Sequence, residues 1–226
     1  MKARQLHPWD VAPAEARRMQ TELRKQLVLD DRLSELRCIA GADVAIDDRG
    51  VVVAGVIVYR FPEMQELERA SATLRVSFPY VPGLLSFRET PGLLKAFARL
   101  RAAPDLIFCD AQGYAHPRRF GLACHLGLLL DRPTVGCAKS RLIGTHREPG
   151  TRRGAWTPLE DAGEVIGAVL RTRPGVRPIY VSQGYRVSLA RAIELTLAVC
   201  DGYRIPRPTR EADHYVRALR TAGGRE

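Results

Sequence analysis

The sequence predicts a single α/β domain built on a mixed β-sheet. The first observation is a pair of apolar, β-branched runs near the N-terminus, 38–46 and 51–59, separated by the turn residues Asp47-Asp48-Arg49-Gly50, which together predict a hairpin. The second is that short apolar runs then alternate with helical patterns, an order typical of α/β domains. The third is that the 226 residues include no linker-like segment long enough to mark a domain boundary, so one domain is expected over 1–226.

The N-terminal half begins with apolar positions at helical spacing among charges, which predict an amphipathic helix over about 13–29. The hairpin follows, and residues 67–76 predict a third strand. The segment 78–83 contains Pro79 and Pro82, which remove backbone donors and fix φ, so no regular element is expected there.

The second half predicts helices over about 88–100 and 120–130 and strands at 106–110, 134–138, 164–171 and 178–182. Ser188 is a suitable N-cap for a helix reaching Cys200. Pro206 and Pro208 are expected to precede a short last helix. Gly223-Gly224 predicts a frayed tail over about 222–226.

The charge balance favours a polyanionic partner, since 35 Lys and Arg against 25 Asp and Glu give +10. The five cysteines include no C-x-x-C pair and most lie in apolar runs, which indicates buried, reduced thiols. Cys124-His125 could be read as a nucleophilic pair, but its segment is typical of a core helix. There is no apolar leader and no run near the roughly 18 residues of a membrane span. We therefore expect a cytoplasmic protein that is monomeric and does not bind membranes.

Two aspartates, Asp43 and Asp110, lie within or at the end of strongly apolar runs. A carboxylate is costly to bury without a counter-charge, and for a single acid a lysine or arginine is the commoner one. Two such acids, with Glu89 and Asp213 elsewhere in the chain, favour a divalent cation such as Mg²⁺ or Mn²⁺.

Two loops are candidates for ligand contacts. The proline-stiffened loop around Tyr80 is suited to wedging between stacked bases, although a rigid surface turn with a packed tyrosine is the plainer interpretation. After Asp110, Gly113 permits close backbone approach to a ligand. His116 could reach a phosphate or a leaving oxygen, or it could make only a structural hydrogen bond. Lys139 could neutralise an acid or contact a phosphate, or it could be an ordinary surface lysine.

Several motifs in order resemble the endonuclease V family over roughly residues 15–215. They are Gly41-Ala42-Asp43-Val44, Pro79-Tyr80-Val81-Pro82-Gly83 with Phe87-Arg88-Glu89, Asp110 through His116-Pro117-Arg118-Arg119, Pro133-Thr134-Val135-Gly136 with Lys139, Gly184-Tyr185-Arg186-Val187-Ser188, and Gly202 through Arg210. Each motif is weak alone, whereas their joint order is specific. The resemblance implies an RNase H-like fold and Mg²⁺-dependent cleavage, with Mn²⁺ as a substitute. The implied cut is at the second phosphodiester bond 3′ to hypoxanthine and leaves 3′-hydroxyl and 5′-phosphate ends, in the service of DNA repair.

The resemblance also implies residue roles. Asp43, Asp110 and Glu89 match metal ligands, Asp213 matches a fourth with His214 as its rival, and Lys139 completes the catalytic set. Tyr80 matches a wedge. The implied substrate contacts are Pro79, Pro82, Gly83, Leu85, Gly113, His116, Gly121 and Leu122. Ala111 stands where many members have glycine, which places lesion preference in question.

Three alternative functions follow from the same residues. One is an RNase H-like nuclease or recombinase without lesion specificity, against which the Pro79–Gly83 wedge argues. Another is a ribonuclease specific for inosine in RNA, because the sequence does not distinguish DNA from RNA. The last is a catalytically silent nucleic-acid-binding module, which the intact acids disfavour.

Overall fold

A computed structural model describes residues 1–223. The eight strands are β1 (Cys38–Ile46), β2 (Val51–Arg60), β3 (Glu66–Arg75), β4 (Leu106–Cys109), β5 (Thr134–Ala138), β6 (Trp156–Asp161), β7 (Glu164–Leu170) and β8 (Ile179–Tyr185). The five α-helices are α1 (Pro13–Leu23), α2 (Leu85–Ala98), α3 (Leu122–Leu130), α4 (Leu189–Ala198) and α5 (Arg207–Gly223).

All eight strands form one mixed sheet in the order β3-β2-β1-β4-β5-β8-β7-β6. The predicted hairpin is present, since β1 and β2 pair antiparallel. The central strands β1, β4 and β5 are parallel, and the remaining neighbours are antiparallel. The residue patterns predicted a mixed sheet, and the arrangement matches the RNase H-like fold that the resemblance implies.

Side-chain alternation gives the sheet two buried faces. One face packs Ala42, Val56 and Cys109 against α2 and α3. The other face packs Ile39 and Phe108 with residues of α4 and α5. Because successive residues of a strand point to opposite faces, this alternation decides which helices each acid of the sheet can meet.

Several boundaries differ from the prediction. The first helix ends at Leu23 and continues only as a 3₁₀ turn over Arg24–Gln26. Helix α2 begins at Leu85, three residues early. Strand β6 was not predicted, because Pro158 interrupts its pattern; proline is tolerated on this edge strand.

The last helix is not short. It has 17 residues and starts at Arg207, with Pro208 in its first turn, where a missing N–H costs little. It extends to Gly223 and so includes the first two residues of the predicted tail, while residues 224–226 lie outside the described part. Within residues 1–223, no helix is long and apolar enough to cross a bilayer. The cysteines are unpaired, and Cys124 and His125 are both fully buried on α3, as expected of a core helix.

Candidate functional site

The register of the central strands brings two predicted acids together. Strands β1 and β4 are parallel, with Ala42 opposite Cys109, so Asp43 and Asp110 are neighbours one residue further along. Ala42 and Cys109 face α2 and α3. The two aspartates therefore point to the opposite face, which α5 covers.

Helix α5 supplies a third acid from that face. Its first turn lies directly on β1, where a Cβ at Gly41 would be 2.0 Å from the carbonyl oxygen of Pro208. Only glycine allows this approach. As a result, single oxygens of Asp43, Asp110 and Asp213 all lie within 4.8 Å of one another. His214, the alternative to Asp213, is exposed and does not belong to this group.

The acid cluster, meaning Asp43, Asp110 and Asp213, is incompletely neutralised. The Lys139 ammonium lies 2.5 Å from Asp110 and 3.7 Å from Asp213, and Arg217 lies 2.8 Å from Asp213. Burial and the neighbouring Asp110 raise the pKa of Asp43 to about 8. Burial also raises the pKa of Asp110, despite Lys139. An oxygen-only donor set that is short of positive charge fits a hard divalent cation.

Glu89 approaches from the other side of the sheet. It lies on α2 and is not a member of the group whose oxygens all lie within 4.8 Å of one another. Burial raises the pKa of Glu89 to about 8, and the charges of Asp43 and Asp110 add to this shift. Glu89 therefore belongs to the same electrostatic site, although it is not a member of the acid cluster.

A cavity of about 340 Å³ opens beside the acid cluster. Its wall includes Asp110 of the cluster and Lys139, which forms an ion pair with Asp110. Seven of the predicted substrate contacts line it, namely Tyr80, Pro82, Gly83, Leu85, His116, Gly121 and Leu122. Pro79 and Gly113 are not in the wall. Ala111 is, so the residue that departs from the family pattern faces this cavity.

The loop at the cavity rim presents Tyr80 to solvent. The Tyr80 side chain is 73% exposed, which rules out the interpretation of a tyrosine packed against the protein. The Arg88 guanidinium lies 6.0 Å from the ring centre, and its Nη1 donates to the carbonyl of Phe78 at 2.9 Å. The ring is thus held on a short, braced loop with its faces accessible.

The carbonyl of Gly83 is held by three donors. The Gln20 amide of α1 donates at 3.1 Å, His116 Nε2 at 3.0 Å and the Arg118 guanidinium at 2.7 Å. Gln20 also accepts from Arg118 Nε at 2.5 Å. Gln20 was not predicted, although a glutamine that is 1% exposed on an amphipathic helix is the signal that could have identified it.

His116 makes structural hydrogen bonds. Its Nδ1 accepts from the Arg118 N–H at 3.2 Å while Nε2 donates to Gly83, so both ring nitrogens are occupied within the protein. Burial, aided by the positive charge of Arg118, lowers the pKa of His116 to about 4. A neutral imidazole is therefore expected at physiological pH.

Packing within the protein explains why position 113 is a glycine. A Cβ there would be 2.2 Å from the carbonyl oxygen of Gln183 on β8, and the Gly113 N–H donates to Ser182 Oγ at 3.0 Å. Gly113 was expected to allow a ligand to approach the backbone closely, whereas the group that approaches it is the backbone of strand β8.

The fold and the site together define an RNase H-like protein with a three-aspartate candidate metal centre beside a cavity. Comparison with known proteins identifies the family within this class. The family model for endonuclease V matches residues 21–214. The chain belongs to the endonuclease V family.

Individual relatives match this chain along nearly its whole length. An endonuclease V of Roseiflexus sp. (strain RS-1) is 52% identical over 206 residues, covering 91% of this chain and 92% of the relative. The crystal structure of endonuclease V from Streptomyces avermitilis is 46% identical and superposes with a TM-score of 0.90, covering 95% of this chain and 96% of that one. Ciona intestinalis endonuclease V, in complex with a 24mer DNA containing an inosine followed by a ribo-adenosine, is 28% identical with a TM-score of 0.81, covering 92% and 97%.

Proposed function

We propose that this protein is a Mg²⁺-dependent endonuclease that recognises hypoxanthine in DNA and hydrolyses the second phosphodiester bond 3′ to it, as a step of DNA repair. The observation that carries the proposal is that Asp110 belongs both to the acid cluster and to the wall of the cavity. A base held in the cavity would therefore keep its strand next to the acids. Membership of the endonuclease V family supports the same activity.

The residues that would hold the cation are Asp43, Asp110 and Asp213, whose oxygens converge, with Glu89 contributing charge from α2. Mg²⁺ suits such carboxylate sites because it keeps several waters and shares ligands with phosphate. When bound, it would supply an activated water and stabilise negative charge on the phosphate. Mn²⁺ has the same oxygen preference and would substitute.

The rim and the cavity would carry recognition. Taking a base out of the stack costs least where pairing is weak, which favours a deaminated base. Tyr80 is exposed and braced at the rim, so its ring can fill the space that the base leaves. The cavity, lined by Gly83, Leu85 and Leu122 among others, would enclose the extruded base.

The remaining residues would act on charge at the reacting phosphate. In the hydrolysis the water oxygen bonds to phosphorus, the P–O3′ bond breaks, and the 3′ oxygen leaves as a hydroxyl with a proton. Lys139 is 40% exposed beside Asp110, so its ammonium can also contact a phosphate oxygen. Asp110 would orient Lys139 through their 2.5 Å ion pair.

One assay tests the proposal. Matched oligonucleotides of DNA, RNA and DNA with a single ribonucleotide after the lesion would be cut with and without hypoxanthine and with and without Mg²⁺. The expected result is cleavage only of hypoxanthine DNA and only with Mg²⁺, leaving 5′-phosphate ends. Equal cutting of unmodified DNA would identify a nuclease without lesion specificity. Cutting only where RNA is present would identify an inosine-specific ribonuclease, and binding without cutting a silent module.

A further inference from the structure

Two loops at one end of the sheet hold an unusual share of the positive charge. They are residues 140–155, between β5 and β6, and residues 171–178, between β7 and β8, and together we call them the basic edge. They contain seven arginines and a single acid, Glu148. That acid pairs at 2.6 Å with the buried Arg171, so it does not neutralise the exposed arginines of the two loops.

The two loops form one continuous surface because Arg171 joins them. Its backbone exchanges hydrogen bonds with the other loop, the Gly154 N–H donating to its carbonyl at 2.8 Å and its own N–H donating to Ala155 at 2.8 Å. Its guanidinium donates to the carbonyl of Gly150 at 3.2 Å and of Pro149 at 3.3 Å, and also to that of Val176. The loops are therefore expected to present their arginines from a fixed base.

The basic edge starts at the acid cluster. Loop 140–155 follows Lys139 directly, and Arg204 ties Lys139 to the second loop by donating to the carbonyls of Lys139 at 2.7 Å, Pro178 at 3.0 Å and Arg177 at 2.9 Å. Further along, His146 contacts Tyr180 at the start of β8 with ring centres 5.7 Å apart. The surface thus runs outward from the site along the sheet end.

The exposed side chains on this surface are suited to phosphate. Arg147, Arg152, Arg173 and Arg177 are exposed, and within residues 1–223 none of them forms an ion pair. Trp156, which is 47% exposed, follows loop 140–155 at the start of β6. Unpaired arginines beside an accessible aromatic ring are typical of a surface that follows a nucleic-acid backbone.

We infer that the basic edge binds the phosphate backbone of the nucleic acid outside the cleavage site. This inference rests on the proposed function, because a nucleic-acid strand that is cut at the acid cluster must continue outward from it. Strands β5, β8, β7 and β6 are successive, and three strand spacings amount to about 14 Å. At about 3.4 Å per nucleotide along one strand, the edge spans about four nucleotides.

The test compares two double variants that lose the same charge. Arg147→Gln/Arg173→Gln alters the basic edge. Arg60→Gln/Arg132→Gln alters the opposite end of the sheet, where β2 ends and β5 begins. All four residues lack ion pairs within the described chain. Affinity for unmodified and for hypoxanthine-containing duplexes would be measured without Mg²⁺ across a KCl series, and melting curves would check folding.

The slope of log affinity against log salt should become shallower by about 1.8 for the basic-edge variant, at about 0.9 per lost phosphate contact. The shift should be equal for both duplexes, because phosphate contacts do not read sequence. The control variant should keep the parent slope and the parent cleavage rate. An unchanged slope for the basic-edge variant, or an equal shift in both variants, would overturn the inference.

This outcome is separable from the proposed function. If the parent fails to cut hypoxanthine DNA while the slope difference persists, the basic edge stands and the proposed cleavage falls. If cleavage occurs as proposed and the slopes coincide, the basic edge is wrong and the proposed function stands.

Discussion

Replacing Tyr80 by alanine tests whether the exposed ring recognises the lesion. The side chain is 73% exposed, so its removal loses little buried area. Within residues 1–223, the cation that contacts its ring is Arg88 at 6.0 Å, and an exposed contact of that kind contributes about 0.5–1 kcal/mol. In a domain of this size such a loss lowers the melting temperature by about 2–4 °C at most.

The expected effect on recognition is much larger. A base stacked on an aromatic ring is stabilised by about 1–3 kcal/mol. If Tyr80 fills the space of the extruded base, its loss should reduce the preference for hypoxanthine DNA over ordinary DNA by roughly 5- to 150-fold. Pro79 and Pro82 flank the ring, so little loop entropy remains to be lost on binding.

The assay measures binding and single-turnover cleavage of matched duplexes, alongside a melting curve. Tyr80→Phe is the matched control because it keeps the ring and should keep the preference. The acid cluster is intact in both variants, so Mg²⁺-dependent cutting should remain measurable. A Tyr80→Ala protein that melts normally and retains the full preference would refute the wedge, and the cavity alone would then account for selectivity.

Three further predictions concern the acid cluster and the Gly83 contacts. Asp110→Asn, and likewise Asp43→Asn, should abolish cleavage while binding to hypoxanthine DNA persists, and substantial Mg²⁺-dependent cutting by the purified variant would contradict their role. The pKa of His116 is lowered to about 4 in the folded protein, so as the pH falls the histidine is protonated in the unfolded state before it is protonated in the folded state. The free energy of unfolding should therefore fall by roughly 3 kcal/mol between about pH 6.5 and 4. Chemical unfolding of His116→Gln should show a shallower decline, and an identical pH profile would argue against a buried neutral imidazole. Gln20→Leu leaves Arg118 Nε without its acceptor and should cost about 1–3 kcal/mol of stability. If Gln20 acts by holding the loop that carries Tyr80, the loss of hypoxanthine preference caused by Gln20→Leu should be smaller in a Tyr80→Ala background. Additive losses in the double variant would mean that the role of Gln20 is purely structural.

Local patterns were sufficient for much of the fold. The β1–β2 hairpin, β5 and the N-cap at Ser188 were predicted because alternation, turn residues and capping act over a few residues. Strand β6 was missed because an edge strand with a proline has a weak pattern. The length of α5 was missed because Pro206 and Pro208 resemble a break, although Pro208 lies in the first turn of the helix.

The amino-acid sequence was enough to identify the side chains available for function: acids in apolar runs, a tyrosine in a proline-stiffened loop, and an excess of positive charge. Its motif order was enough to indicate the family. Which of these groups come into contact depends on how the strands and helices pack. The parallel register of β1 and β4 aligns Asp43 with Asp110, and α5 reaches them with Asp213 because Gly41 leaves room for its first turn. Such contacts join residues far apart in the chain, and no local pattern specifies them. The same holds for Gln20, which reaches Gly83 across 63 positions.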